Sequence, residues 1–467
     1  MRVLVAGGGV AALETILALR ALAGPRVSIE QLAPDPSLLD RPSSVATAFG
    51  FGAADPLPLE VVARRERVAL LRDAIARVEP DRHRVVTTAG RRLSYDALVI
   101  ATGARSHAVL PGAITFTGPA DVEALTAVLE RAVRGEIRRL AFALPHGVSW
   151  SLPLYELAIM AAVQLRHRIM SGTHIAIVTP ERRPLWLFGT AAAEALERML
   201  AERDVALRTQ ARAIAAEQDA LLLDDGERLS TDAVVALPAL TGPGIDGLPA
   251  DAHGFLPVDP HGRVVGAADV YAAGDATSFP VKQGGLATQQ ADAVAEAIAA
   301  TVGAVERPAR FRPVLRGLLL TGGAPLYLRA ELSAAGALLE GHGTPLPTAR
   351  GETSTRALWW PPAKVAGRYL GPYLASARPR ALAAEPLRDR TPMATSAPSP
   401  DTDDAFLLAV LIAREDARLG DYGQALQALD AAAALGGGLL PTDLAELRAD
   451  WAVKAAAAPT GSPTPAA

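Results

Sequence analysis

Three consecutive glycines near the start of the chain constrain its fold more than any other feature. The sequence begins MRVLVAGGGVAALETILALRAL, so an apolar run at Arg2–Ala6 leads through Gly7–Gly9 into an alanine- and leucine-rich stretch. The run predicts a buried strand, and Val10–Ala23 predicts a helix that a Gly-Pro pair ends. With a second strand predicted over Arg26–Leu32, these elements have the size of a strand–helix–strand unit with parallel strands.

The glycines follow the pattern G-x-G-x-x-A, with Gly7, Gly9 and Ala12 at its fixed positions. Gly7 permits a tight turn, Gly9 lets a pyrophosphate reach the backbone, and Ala12 lets the helix pack closely on the sheet. The helix N-terminus, where Val10 and Ala11 lie, stabilises the phosphate charge. The pattern therefore predicts a binding site for the pyrophosphate of a dinucleotide.

Glu30 is the acidic residue that we assign to the ribose of the same ligand. It lies towards the end of the second predicted strand, where a carboxylate accepts hydrogen bonds from ribose hydroxyls. A glycine-rich turn without a ligand is the structural alternative. The strand, the helix and the acid around the turn favour the binding site.

Composition excludes several classes of function. A chain of 467 residues is too long for one compact core, which predicts two or three domains. The 46 Lys and Arg against 50 Asp and Glu give a net charge of -4, which argues against nucleic-acid binding. The chain has no cysteine, which excludes disulfides, thiolate catalysis and Cys-ligated metals, and its histidines lack the spacing of a metal site.

The sequence predicts neither a signal peptide nor a transmembrane segment. The chain starts with one arginine, a short apolar run and glycines, unlike a secretory signal. Its longest apolar stretches are broken well short of the roughly 18 residues that a membrane-spanning helix needs. We therefore expect a cytoplasmic protein.

Two further turns follow predicted apolar strands. The stretch YDALVIATGA places Ala101, Thr102 and Gly103 after one strand, and DVYAAGDAT places Gly274 and Asp275 after another. Each turn alone is an ordinary strand-to-loop sequence. The glycine pattern, the acidic residue and the two turns occur in this order, which argues against a chance combination.

The order of these motifs resembles the FAD-containing pyridine nucleotide–disulphide oxidoreductase superfamily over about residues 1–375, nearest its sulfide:quinone oxidoreductase and type II NADH dehydrogenase branch. In that superfamily the ATG turn approaches FAD, and the GD aspartate hydrogen-bonds the ribityl–phosphate part. The next helix points its N-terminus at the flavin pyrimidine ring. The resemblance implies bound FAD, held by the turn residues together with Arg41, Lys282, Gln283 and Gly285.

The loop FPVKQGGLATQQADAVAEAI carries the residues that the resemblance places at the flavin ring. Lys282 is the candidate catalytic residue, because a lysine at the N1–O2 edge of the flavin stabilises the reduced anion. A surface lysine is the alternative. Gln283, Gln289 and Gln290 are candidates for polar contacts with flavin or acceptor, with a solvated helix face as the alternative.

The lack of cysteine separates the chain from part of that branch, because sulfide oxidation and disulfide reduction need redox cysteines. The resemblance then implies an oxidoreductase that transfers two electrons through FAD, from NAD(P)H to a quinone or another small redox acceptor. The alternatives are a flavoprotein with a non-nicotinamide donor, a degenerate FAD-binding scaffold for protein interaction, and a non-flavin NAD-dependent dehydrogenase.

A second nucleotide-binding turn is incomplete. Relatives that use NAD(P)H carry a second glycine fingerprint, whereas the matching turn here, PHGVSW, has Gly147 as its one glycine and ends in Trp150. Glu156 and Glu181 occupy positions where the ribose of a nicotinamide nucleotide could be bound. The sequence leaves NAD(P)H binding open, since a non-standard turn still places a ligand at a helix N-terminus.

The expected fold is α/β, with two nested Rossmann-like FAD/NAD(P)-binding domains of the three-layer ββα type and a C-terminal helical tail. A homodimer, peripheral contact of WWPPAKVAGRYLGPYLA with a membrane, and contact of the tail with another protein stay open. The predicted regions are an FAD-binding domain at 1–115 and 245–305, a second NAD(P)-binding-like domain at 116–244, an interface segment at 306–375, a linker at 376–404, a tail at 405–457 resembling one tetratricopeptide unit, and a disordered end at 458–467.

Overall fold

The computed structural model describes residues 1–38, 41–42, 44–50, 56–166, 172–340, 344–345, 351–375 and 442–457, and isolated positions between 422 and 433. The chain forms two compact units, Met1–Arg390 and Thr391–Ala467, which are described separately. The predicted linker, the disordered end and most of the tail lie outside the described residues. The predicted domain boundaries therefore stay a prediction.

The larger unit begins with a five-stranded parallel sheet. In order across the sheet, its strands are Val270–Ala272, Ala97–Ile100, Arg2–Ala6, Ser28–Leu32 and Ala69–Leu71. The opening strand of the chain thus lies in the middle. Its residues Val3, Leu4 and Val5 are buried, because both faces of the sheet are covered.

One face of this sheet carries two helices that pack on each other, the opening helix Val10–Ala23 and the long helix Gly284–Thr301. Their apolar side chains form one cluster with Val3 and Val5. The other face packs through Leu4 against an antiparallel sheet. The strands of that sheet are Ile75–Glu79, Arg84–Thr87 and Arg92–Ser94.

A second five-stranded parallel sheet repeats the plan. Its strands, in order, are Ile114–Thr115, Ala233–Ala236, Arg139–Ala143, His174–Val178 and Val205–Arg208. The helices that follow or precede them are Val122–Val133, Leu152–Arg166 and Thr190–Glu202. Its antiparallel partner consists of Ala213–Ala216, Ala220–Leu223 and Arg228–Ser230. The repetition confirms the predicted α/β class with two Rossmann-like domains.

An antiparallel sheet follows the long helix. Its strands are Val314–Leu319, Leu326–Leu332, Leu338–Glu340, Thr344–Pro345 and Glu352–Ser354. The chain then continues as residues 358–375, which we call the C-terminal segment. It ends in the helix Leu370–Ala375, and Tyr369 and Leu370 pack into the apolar cluster of the first sheet.

The remaining elements are short. They comprise the helices Ser44–Thr47 and Leu59–Glu66, the strand pair Ser37–Leu38 with Leu57–Pro58, the strand pair Arg105–His107 with Ala239–Thr241, and the 3₁₀ turns Gly24–Arg26, Pro80–Arg82, Pro119–Asp121, Trp186–Phe188 and Gly274–Ala276. The second unit contains the helix Thr442–Ala457, inside the predicted helical tail. Among the described helices, none is long and apolar enough to cross a membrane.

Candidate functional site

Three turns converge at one edge of the first sheet. They follow parallel neighbouring strands, whose carboxyl ends meet at the same edge. The backbone N–H of Ala101 donates to the carbonyl oxygen of Ala6 at 2.8 Å, and that of Ala273 donates to Ile100 at 3.0 Å. The glycine pattern, the ATG turn and the GD turn therefore lie side by side.

Gly7 is required by packing between strands. Its φ is 141°, and a Cβ built on it would lie 2.1 Å from the carbonyl oxygen of Ala101. Its N–H donates to Leu32 at 2.8 Å, and its carbonyl accepts from Nε2 of Gln31 at 2.9 Å. The fold alone therefore accounts for this glycine.

Gly9 lies at the exposed start of the opening helix, and no side chain caps that end. Its φ of -89° suits any residue, and a Cβ built there would meet no atom within 4 Å. Because the first N–H groups of a helix lack intrahelical partners, this end is ready to bind an anion. The open space in front of Gly9, with Val10, Ala11 and Ala12 behind it, fits a pyrophosphate.

Gln31 supports the glycine turn, a role that we did not predict from the sequence. Its side chain is fully buried behind the glycine turn, and its Oε1 has no hydrogen-bond partner within the described part of the chain. Through Nε2 it fixes the carbonyl of Gly7 and so the orientation of the turn. A glutamine inside a buried apolar strand was the available signal, because a buried amide needs a partner.

Glu30 does not lie where the sequence predicted. The second strand continues to Leu32, which pairs with Ala6, whereas Glu30 pairs with Leu4 two residues before that edge. Residues paired in this way share a face, and Leu4 faces the antiparallel sheet rather than the opening helix. Glu30 therefore lies two residues before the edge where the turns meet, and its assignment to the ribose stays a prediction.

The other two turns open at the same edge. Thr102 is exposed, and Gly103 has a φ of 74°, which glycine adopts readily. Gly274 has a φ of 76°, and a Cβ on it would come within 3.0 Å of the Cβ of Ala11. The GD turn thus lies directly against the first turn of the opening helix.

Three charged residues act on one another at this edge. Desolvation raises the pKa of Asp275, while the charges of Lys282 and Arg41 lower it. Burial lowers the pKa of Lys282 to about 8, an effect that Asp275 and Asp251 oppose. The structure therefore brings the predicted Arg41, Asp275 and Lys282 within electrostatic range.

Lys282 is not a freely solvated surface lysine. Its Nζ lies 3.7 Å from the centroid of the Phe255 ring and donates to the carbonyl oxygen of Thr277. Half-buried between a ring and a carbonyl, the ammonium has a fixed position. The assignment of Lys282 to the flavin stays a prediction.

Gln283 begins the long helix as its N-cap. Its Oε1 accepts the N–H of Leu286 at 2.9 Å, and its Nε2 donates to the carbonyl of Arg316 at 3.1 Å. A Cβ on the neighbouring Gly285 would come within 3.0 Å of that Oε1. The amide of Gln283 therefore caps the helix and binds the carbonyl of Arg316, while its contact with the cofactor stays a prediction.

The other two glutamines are also bonded within the protein. Gln289 donates to Gly285 at 2.7 Å and exchanges two hydrogen bonds with the backbone of Val314, each 2.9 Å. Gln290 accepts the N–H of Gly274 at 2.7 Å. Neither a contact with flavin or acceptor nor a solvated helix face describes these amides. Gln290 instead fixes the GD turn.

At the second sheet, Glu156 is sealed inside the protein. It is fully buried, its Oε2 lies 2.8 Å from Nζ of Lys364, and its Oε1 accepts the N–H of Leu320 at 2.8 Å. Burial raises the pKa of Glu156, and the ammonium of Lys364 lowers it. The carboxylate of Glu156 is therefore engaged by an internal ion pair with Lys364 and by the N–H of Leu320, while its contact with a ribose stays a prediction.

Glu181 follows the strand His174–Val178 of the second sheet, and hydroxyl groups surround its carboxylate. It accepts hydrogen bonds from Ser151 at 2.9 Å, Tyr155 at 2.5 Å and Thr179 at 3.1 Å. Burial raises its pKa, which these hydrogen bonds lower. Trp150, half-buried beside this site, packs on Phe188 with ring centroids 5.9 Å apart. Both oxygens of Glu181 therefore accept hydrogen bonds from the protein's own hydroxyl groups.

Two such parallel sheets, with glycine turns at the edge of the first, are typical of dinucleotide-binding proteins. The family model for pyridine nucleotide-disulphide oxidoreductases matches residues 1–141 and 155–300, which is more than half of the chain. The protein belongs to this flavin-dependent family, whose members typically bind FAD and NAD(P)H. The resemblance inferred from the motifs is thereby confirmed.

Solved structures share the fold. The sulfide:quinone oxidoreductase of the hyperthermophilic bacterium Aquifex aeolicus is 20% identical, with a TM-score of 0.67 over 76% of this chain and 86% of that one. A ferredoxin reductase of the CYP199A2 system from Rhodopseudomonas palustris is 18% identical, with a TM-score of 0.56 over 71% and 83%. NDH2 of Plasmodium falciparum, solved with NADH, is 14% identical, with a TM-score of 0.50 over 59% and 64%.

At these identities the likeness establishes the fold alone. No curated protein matches the sequence. The chain has no cysteine, so electron transfer through its own thiol groups is excluded.

Proposed function

We propose that this protein is an FAD-dependent oxidoreductase whose flavin passes two electrons from NAD(P)H to a quinone or another small redox acceptor. The observation that carries the proposal is the convergence of three turns at one sheet edge, in front of a helix start left open by Gly9. Membership of a flavin-dependent family supports FAD as the ligand.

Different residues at this edge would bind different parts of FAD. Gly9 and the N–H groups of Val10 and Ala11 would bind the pyrophosphate, and Thr102 and Gly103 would flank the cofactor. Asp275 would accept hydrogen bonds from the ribityl part. When bound, FAD supplies the two-electron redox chemistry that no side chain of this protein can provide.

The flavin ring would lie towards the long helix. Lys282 places a positive charge beside Asp275 at pH 7, and the start of the long helix, which Gln283 caps, adds the positive end of the helix dipole. Both favour the negative charge of a reduced flavin. Lys282 is the residue that we assign to this stabilisation.

NAD(P)H is the proposed donor because the second sheet retains a nucleotide-binding plan. His146 and Gly147 are exposed directly after its strand Arg139–Ala143, and the helix Leu152–Arg166 follows. The quinone acceptor, peripheral membrane contact, cytoplasmic location and a homodimer stay predictions.

A second candidate function is a flavoprotein that takes electrons from a donor other than NAD(P)H. The observation that favours it is Glu181, whose two oxygens are engaged by Ser151, Tyr155 and Thr179. An acid at this strand end is the group that a dinucleotide site offers to ribose hydroxyls. Here the protein's own hydroxyls take that place.

The test is an anaerobic visible spectrum of the purified protein, recorded before and after NADH and then NADPH are added. Oxidised flavin absorbs at about 450 nm, so a yellow protein establishes the cofactor. Bleaching by either nucleotide supports the first candidate and identifies the donor. A yellow protein that neither nucleotide bleaches supports the second, and a colourless protein that free FAD does not reconstitute removes both.

A further inference from the structure

The carboxylate of Glu181 is held by hydroxyl groups from two separate elements around the second sheet. Ser151 and Tyr155, at the start of the helix Leu152–Arg166, donate to its Oε1 at 2.9 Å and to its Oε2 at 2.5 Å. Thr179, which follows the neighbouring strand, donates to Oε2 at 3.1 Å. These three residues, which we call the hydroxyl cage, are buried, whereas Glu181 keeps partial exposure to solvent.

The hydroxyl cage joins the two elements between which a dinucleotide lies in folds of this type. The helix after the first strand points its N-terminus at the pyrophosphate, and an acidic residue after the second strand binds the ribose. In the second sheet the strand Arg139–Ala143 precedes the helix, and Glu181 follows the neighbouring strand His174–Val178. The hydrogen bonds from Ser151 and Tyr155 to Glu181 therefore close the gap that a nucleotide would enter.

The residue immediately before the helix differs between the two sheets. Before the opening helix it is Gly9, which is exposed, and a Cβ built there would meet no atom within 4 Å. Before the helix of the second sheet it is Ser151, which is 7% exposed and whose Oγ donates to Glu181. A phosphate group therefore has open access to the first helix start, whereas side chains of the protein cover the second.

The hydroxyl cage offers Glu181 the same chemical groups that a ribose would offer. In a dinucleotide site the ribose donates from its hydroxyls to the carboxylate at this strand end. Here Ser151 donates to one oxygen and Tyr155 to the other, so each oxygen already has a hydroxyl donor. Hydrogen bonds to an ionised acceptor are among the stronger ones, so a ribose must displace these donors at a cost in free energy.

We propose that the hydroxyls of Ser151 and Tyr155 act as an internal substitute for the ribose of a nicotinamide nucleotide and close the second site in the unliganded protein. The inference rests on the proposed function for the identity of this ligand as NAD(P)H. The site opens when the two donors leave Glu181, which then accepts the hydroxyls of the ribose. Ser151 and Tyr155 thus lower the affinity of the protein for the nucleotide.

Calorimetric titration of the purified full-length protein with NAD⁺ tests this closure. NAD⁺ cannot reduce the flavin, so the titration reports binding alone. NAD⁺ is also a better probe than NADP⁺, because Arg182, exposed next to Glu181, would attract the 2′-phosphate of NADP⁺ whether or not the carboxylate is free. The Kd for NAD⁺ therefore measures the access of a ribose to Glu181.

The double variant Ser151→Gly with Tyr155→Phe removes both donors and gives the second helix start the residue type that Gly9 supplies to the first. Its Kd for NAD⁺ should fall at least about tenfold, because a ribose then displaces neither hydrogen bond. Adding Glu181→Ala should abolish this gain, because the acceptor is lost. The titrations are run at about pH 8.5 to keep the carboxylate ionised, since removing its donors raises the pKa of Glu181. Equal Kd values for the parent and the double variant, or a gain that survives Glu181→Ala, would overturn the proposal.

Tyr95→Phe is the matched control, since Tyr95 is a buried tyrosine in the core of the first sheet, and its Kd for NAD⁺ should equal that of the parent. Far-UV circular dichroism identifies a double variant that fails to fold. In that case Ser151→Gly alone decides: a Kd lowered at least about threefold supports the closure, and an unchanged Kd overturns it.

Flavin bleaching by NADH in the same proteins separates the closure from the proposed function. Tighter NAD⁺ binding by the double variant without bleaching keeps the closure and removes NADH as the donor. Bleaching of the parent together with equal Kd values in all variants keeps NADH as the donor and removes the closure.

Discussion

The Nζ atom of Lys364 lies 2.8 Å from Oε2 of Glu156, which is fully buried in the helix Leu152–Arg166. The same ammonium donates to the carbonyl oxygen of Pro42 at 3.1 Å. One side chain of the C-terminal segment therefore joins a helix of the second sheet to a loop that follows the first sheet's second strand.

Replacing Lys364 with methionine should lower the free energy of unfolding by about 3–5 kcal/mol, because it leaves a buried carboxylate unpaired. Urea denaturation at pH 7 measures the loss. The deficit should shrink at lower pH, because burial already raises the pKa of Glu156 and protonation removes the unpaired charge. Combining the change with Glu156→Gln should recover most of the stability.

Lys454→Met is the matched control for that substitution. Lys454 makes an exposed pair of 2.7 Å with Asp450, and exposed pairs contribute about 1 kcal/mol or less. An equal loss of unfolding free energy in the two lysine variants would contradict the prediction that breaking the buried ion pair destabilises the protein more than breaking the exposed one.

The two outer glycines of the opening turn should behave differently on substitution. Gly7→Ala places a Cβ 2.1 Å from the carbonyl oxygen of Ala101, so the protein should be strongly destabilised or fail to fold. Gly9→Ala meets no atom within 4 Å and should keep the parent melting temperature. It should nevertheless raise the Kd for FAD at least about tenfold, because the methyl group occupies the phosphate site.

Calorimetry of melting and titration of the apoprotein with FAD measure these two outcomes. An unchanged FAD affinity in a well-folded Gly9→Ala protein would place the pyrophosphate elsewhere.

Asp275→Ala should reduce the fraction of protein that retains FAD through gel filtration, because it removes the proposed acceptor for the ribityl hydroxyls. Asp246→Ala, at an exposed position, is the control for the loss of one negative charge. Flavin absorbance relative to protein absorbance gives the occupancy. Equal occupancy in the two variants would remove the role of Asp275.

Lys282→Met should lower the two-electron reduction potential of the bound flavin by about 30 mV at pH 7, which corresponds to a tenfold change in the equilibrium. The pKa of Lys282 is lowered to about 8, so its charge disappears as the pH rises through that value. The potentials of parent and variant should therefore converge by about pH 9. Spectroelectrochemistry at several pH values measures them, and a difference that does not vary with pH would contradict this assignment.

Local sequence predicted the elements at the glycine turns well. The opening helix occupies Val10–Ala23 as predicted, and the opening strand occupies Arg2–Ala6. Both depend on neighbouring residues only, through apolar runs and helix-ending residues. The convergence of the turns also followed from sequence, because carboxyl ends of parallel strands share an edge.

The register of strands and the pairing of buried polar groups could not be predicted from local sequence patterns. Glu30 was misplaced because only the pairing of Leu32 with Ala6 shows where the strand meets the edge. Gln290 was expected at a ligand or in solvent, yet it binds Gly274, a partner known only once the helix is folded onto the sheet. Glu14 accepts the backbone N–H of Tyr369, which lies 355 positions along the chain, a contact that no spacing rule can indicate.

The different surroundings of Gly7 and Gly9 also determine which substitutions selection would allow at the two positions. In a lineage that abandoned its nucleotide, selection on the fold would still preserve Gly7, whereas position 9 would be free to drift towards alanine or serine. The first glycine of such a fingerprint is thus required by the fold, whereas the second is required by ligand binding.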